Sequence, residues 1–191
     1  MARGVGKVKN AYEEMMKEGR RLLRVGGPAA VSLRNIARGL GCSAGVFYNY
    51  ICNVEDVRQH VAREVLGELR ASLRVAARPG AGAFRLVAQA RAYRSFWRME
   101  PGSFAFTFRH DSPYPVAKQE ELVGWFWPDL ARLGTEQEGV AWYTRVHGLM
   151  HLEISRVLEP AMAEALWQDL CGGLAAAARH QAPEPGAPQA A

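Results

Sequence analysis

The sequence predicts an all-α protein, and three observations carry that prediction. Apolar residues recur at helical spacing almost throughout, and glycine and proline cut the pattern into pieces of helix length. A stretch near the N-terminus, Ser32–Tyr50, reads as two short helices broken at a glycine, the size of a helix-turn-helix. The expected architecture is an N-terminal three-helix unit over residues 1–55 and a larger helical unit over 56–180, joined by a long helix. Residues 181–191, rich in Pro and Ala, are expected to be a disordered tail.

The elements follow in order. A first helix is expected over 8–25 and stops at Gly26-Gly27-Pro28. Leu33, Ile36, Ala37 and Leu40 then put one apolar stripe on a second helix. Gly41 can take the positive φ that ends it, and Ser43 can cap the next. In that third helix Val46, Phe47 and Tyr50 are expected to turn inward or sideways, leaving Ala44, Gly45, Tyr48 and Asn49 outside. Asn53 looks like the cap of a long helix reaching Ala77, with Glu55 and Asp56 in its first turn, where the helix dipole favours carboxylates. A hinge at 78–82 separates it from a helix over Ala83–Met99. Pro101-Gly102 breaks that helix, and Ser103–His110 follows. Its alternating phenylalanines are a strand signal without a partner strand, so a short helix or turn is expected. Further helices are expected over 116–133 and 137–158, and from Pro160 to about Arg179.

A short helix whose outer face is small, polar and aromatic suits the major groove of DNA. The charge distribution agrees. Residues 1–50 carry nine basic side chains against three acidic ones, whereas the rest of the chain carries 15 against 16. The positive excess therefore surrounds the motif, where phosphate attraction needs it. No apolar run approaches the roughly 18 residues that span a bilayer, which argues against a membrane partner. Three scattered cysteines argue against a disulfide framework or a zinc site, and fit a reducing cytoplasm.

The segment Leu22–Val57, with the order Ile-Ala-x-x-x-Gly-x-Ser-x-Gly-x-x-Tyr-x-Tyr, resembles the tetracycline-repressor-like (TetR) family of one-component transcription regulators. His147-Gly148-Leu149-Met150-His151-Leu152-Glu153 is similar, more loosely, to a segment in the penultimate helix of one group of that family. The resemblance implies an all-helical homodimer on double-stranded DNA at a palindromic operator, with an unknown small-molecule effector in each C-terminal domain and most often a repressor's role. It also implies that Tyr48 and Tyr50 touch phosphates, that Ser32 and Ser43 contact phosphate from helix starts, and that Arg34, Ala44, Gly45 and Asn49 face bases or nearby backbone. Val54 departs from the family's frequent lysine, and Ile51 from its usual phenylalanine.

Other features stay open between two readings. His147 and His151 lie one turn apart, a spacing that suits a metal but lacks further ligands; buried or interface histidines are the alternative, and no metal is expected. Ala141, Gly148 and Ser155 recur every seven residues and form a small seam suited to a dimer interface, together with Leu152, Leu166 and Leu170. Phe96, Trp97, Phe104, Phe108, Trp125 and Trp142, with His147, fit either a ligand pocket or plain aromatic core. Cys42 and Cys52 read as buried small hydrophobes rather than redox switches. No nucleophile elbow or phosphate-cradling loop is present, so neither an enzyme nor a cofactor is expected. The alternative to a regulator is a helical architectural or partner-binding protein with only non-specific DNA affinity.

Overall fold

The computed structural model describes residues 4–78, 83–108, 129 and 135–180. Among these, every regular element is helical, and the all-α expectation holds. The expected helix over 116–133, Trp125 and the tail 181–191 lie outside the described residues, Asp129 excepted.

The chain divides into two compact units, residues 1–68 with 99–116, and residues 69–98 with 117–191. In the first, α1 (Gly4–Gly26) is followed by a 3₁₀ turn at Pro28–Ala30, α2 (Leu33–Gly39) and a six-residue 3₁₀ helix at Ala44–Asn49. The first part of α3 (Val54–Ala76) and the short α5 (Pro101–Thr107) complete it. Helix α1 is held at its middle by Gly19. A Cβ there would stand 3.2 Å from Val61 Cγ2, 3.4 Å from Val57 Cγ1 and 3.7 Å from Ile36 Cδ1. The missing side chain lets α1 sit close to both α3 and α2, around fully buried Met15, Leu23, Val57 and Val61. Each such side chain contributes about 1.5–3 kcal/mol of burial.

The second unit holds the end of α3, α4 (Ala83–Met99), α6 (Glu136–Ile154) and α7 (Pro160–His180). Thr135 starts α6 with a reciprocal capping box: its hydroxyl accepts from the Glu138 N–H while its own N–H donates to the Glu138 carboxylate. Glu153 then ties three helices together. Arg94 of α4 donates to both its oxygens at 2.9 and 3.0 Å, Trp167 Nε1 of α7 donates to it at 2.6 Å, and the Arg94 guanidinium lies over the Trp167 ring.

Helix α6 ends at Ile154, short of the expected Leu158. Val157 donates to the carbonyl of Leu152 and Arg156 to that of Glu153, a Schellman closure that places Arg156 at φ 56°. This stop carries no glycine, so composition alone does not announce it.

Candidate nucleic-acid interface

Each turn of the Ser32–Tyr50 segment has a local cause. The Ser32 hydroxyl accepts from the Asn35 N–H at 3.3 Å and caps α2. At the other end, Gly41 donates to Arg38 and Cys42 to Ala37, and Gly41 takes φ 65°, as the sequence predicts. Ile36 and Ala37 face inward and Phe47 is buried behind the second element, which fixes the two elements against each other. Asn53 caps α3 by accepting from the N–H groups of Glu55 and Asp56, and the Asp56 carboxylate in turn accepts from the N–H groups of Cys52 and Asn53.

The second element differs from the expected α-helix. It is 3₁₀ over Ala44–Asn49, and Ser43 makes no side-chain cap bond. A six-residue segment without a cap and with Gly45 inside it, which costs about 1 kcal/mol relative to Ala, lacks the means to sustain α geometry alone.

Arg34, Ser43, Gly45, Tyr48 and Asn49 are exposed, Ala44, Ser32 and Tyr50 are half-buried, and Tyr48 is 62% accessible. Two side chains join them that sequence reasoning placed elsewhere or passed over. Val46, expected to turn inward or sideways, is exposed, because the 3₁₀ repeat of three residues per turn moves it off the Phe47 side. Arg38 is exposed one turn after Arg34 on α2, a spacing that could have flagged it. Cys42 and Cys52 are exposed, which overturns the expectation of buried small hydrophobes. Cys42 is the residue immediately after Gly41, so the helix-ending turn itself carries it outward.

The remaining expected site residues fall in both units. Phe104 and Phe108 belong to the first unit, where their rings pack 5.1 Å apart. Phe96, Trp97, Trp142 and His147 belong to the second, with Phe96 and Trp97 edge-on at 4.9 Å. His147 Nδ1 is hydrogen-bonded to the Tyr93 hydroxyl at 2.8 Å, and its ring stacks on Tyr143. Burial, with the neighbouring His151 as a smaller cause, lowers the His147 pKa to about 4, so the imidazole is neutral. Burial likewise pushes the Tyr143 phenol up to about 12. Among the described residues no group of three or more His, Cys, Asp or Glu could hold a metal ion. Trp142 lies against Gly173, where a Cβ would meet its ring at 2.9 Å, and under the Arg145 guanidinium.

Of the seam residues, Ala141, Gly148, Leu152, Ser155 and Leu166 are exposed, whereas Leu170 is buried. Among the described residues, and apart from its own helix backbone, nothing lies within 4 Å of a Cβ built on Gly148. No helix among the described residues is long and apolar enough to cross a membrane.

These elements define a helical protein with an N-terminal helix-turn-helix, and the fold is that of TetR-family regulators. A TetR-family transcriptional regulator from Streptomyces coelicolor superposes with a TM-score of 0.68 at 18% identity, over 96% of this chain and 93% of that one. A TetR/AcrR-family regulator from Thermobifida fusca gives 0.57 at 16% identity, over 87% and 97%. In sequence, the chain is 26% identical over 159 residues to an uncharacterized HTH-type transcriptional regulator of Mycobacterium tuberculosis, covering 77% of this chain and 72% of that protein. No family model matches the chain.

Proposed function

We propose that the protein is a DNA-binding transcriptional regulator. In this reading it works as a homodimer on a palindromic operator and releases it, as a repressor, when a small molecule binds its C-terminal unit. The observation that carries the reading is the outward face of Arg34, Gly45, Val46, Tyr48 and Asn49 on a helix-turn-helix whose first helix is capped by Ser32, within the first 50 residues, which hold the positive excess. Arginine and asparagine supply hydrogen bonds to base edges, Val46 and Ala44 supply apolar contact to thymine methyls, and the Tyr48 hydroxyl meets phosphate. The open seam of α6, continued by exposed Leu166 on α7, suits a second copy of the chain. Such a dimer sets its two reading heads about one DNA turn apart, roughly 34–36 Å. An effector shifts this state only by binding the DNA-incompetent form more tightly.

The test is recovery of sheared DNA from the source organism by the immobilised full chain at near-physiological salt. A few fragments sharing an inverted repeat support the reading. Uniform, salt-sensitive recovery favours the architectural alternative.

A further inference from the structure

Arg20 lies on α1 with its side chain 7% exposed, and its donors are spread over two distant segments. Nη2 donates to Glu68 at 2.7 Å and to Glu100 at 2.5 Å, Nη1 donates to the Ser103 hydroxyl at 2.9 Å, and Ser103 donates in turn to Glu100 at 2.7 Å. One turn along α1, the half-exposed Arg24 repeats the pattern, with Glu100 at 2.9 Å and Glu68 at 3.2 Å. The two carboxylates occupy particular places in the chain. Glu68 is the last residue of the first unit's opening segment, and Glu100 is the second residue of the segment that returns to it. The 30 residues between, 69–98, belong to the second unit.

We propose that Arg20 is a latch: it fixes to α1 both points at which the chain leaves and re-enters the DNA-binding unit, and so sets the geometry of the reading head. This rests on the regulator reading above. An exposed pair would serve only as a weak staple. Here one buried guanidinium is shared by two segments, so displacement of either carboxylate changes what holds α1. The backbone beside it has no slack. A Cβ on Gly102 would meet the Gly27 Cα at 3.3 Å and the Leu23 carbonyl at 3.4 Å, so the start of α5 lies directly on the end of α1. A shift of that segment therefore moves Glu100 against Arg20 rather than being absorbed in a gap. Gly19, one residue before Arg20, seats α1 against Ile36 of α2, which carries the change to the head.

The experiment compares the wild type with Arg20→Lys, which keeps the charge and loses the fork, and with Glu68→Gln, Glu100→Gln and their double variant. Affinity is read on a selected duplex and on random duplex, and amide exchange is read on the free protein. The latch predicts that Arg20→Lys remains folded and loses at least tenfold in affinity for the selected duplex, while random-duplex affinity stays within twofold. It also predicts at least tenfold faster exchange in residues 33–39, and a Gln double variant no worse than the poorer single one. Unchanged exchange, or equal loss on both duplexes, or multiplicative Gln effects, overturns it. If the wild type selects no duplex, the regulator reading fails, and the exchange measurement still decides whether Arg20 sets the geometry of α2.

Discussion

The carboxylate of Glu18 occupies the space that a side chain on Gly39 would take: a Cβ built on Gly39 would stand 1.9 Å from Glu18 Oε1 and 2.6 Å from its Cδ. Glu18 is buried and held there by Arg21, whose Nε and Nη2 donate to it at 2.7 and 2.6 Å. That hydrogen bond outweighs burial and, with the smaller pull of the guanidinium's charge, keeps the Glu18 carboxyl below its ordinary pKa. Gly39→Ala should therefore destabilise the protein by about 1–3 kcal/mol, the usual range for overpacking. Glu18→Ala in the same chain should recover much of the loss, a coupling read from denaturant midpoints of the four proteins of the cycle. Additive effects would contradict the steric account.

Arg156 offers the opposite case. It holds the left-handed position of the α6 stop at φ 56°, which costs an L-residue roughly 1–2 kcal/mol. Arg156→Gly should stabilise by about 0.5–1 kcal/mol after glycine's larger entropy loss, raising the melting temperature by a few degrees.

How far the sequence alone reaches is visible in such pairs. Gly41, the Asn53 cap and the break at Gly27 are local devices, and their chemistry can be read from neighbouring residues. Gly27 adopts φ 67° with ψ −168°, a region essentially restricted to glycine. The Glu18–Gly39 fit, the seat at Gly19 and the burial of Arg20 depend on partners 17 to 83 residues away, and no spacing rule encodes them. The outer face of the helix-turn-helix was legible because helical periodicity assigns faces. Val46 escaped because the element is 3₁₀ and the assumed repeat was 3.6 residues. Of the aromatic residues, composition announced abundance, but only coordinates sort Phe104 and Phe108 from Phe96 and Trp97.

His147 supplies a pH dependence. Its folded pKa of about 4 lies below the ordinary 6.5, so between these values the unfolded chain binds the proton and the folded one does not. Stability from this site is complete above pH 6.5 and is lost as pH falls through 4, by at most roughly 3.5 kcal/mol at about 1.4 kcal/mol for each pKa unit. Chemical denaturation across that window should show a shallower slope in His147→Gln than in the wild type.

Tyr48→Phe removes only an exposed hydroxyl. If that group meets phosphate, binding should weaken several-fold on every duplex alike, as read by anisotropy at fixed salt. Loss confined to one sequence would instead assign Tyr48 to base reading.

Gly148→Glu places a charge on the exposed seam of α6, where none of the described residues stands within 4 Å of the added Cβ beyond the helix's own backbone. Sedimentation should find a dimer for the wild type and a folded monomer for the variant. An undisturbed dimer would move the interface elsewhere.

The central claim is sequence-specific binding by a two-fold assembly, and selection of bound duplexes from a random pool at near-physiological salt tests it most directly. The account predicts enrichment of an inverted repeat whose half-sites lie about one helical turn, or 10 base pairs, apart. A pool that stays random, bound only through a steep salt dependence, would contradict it.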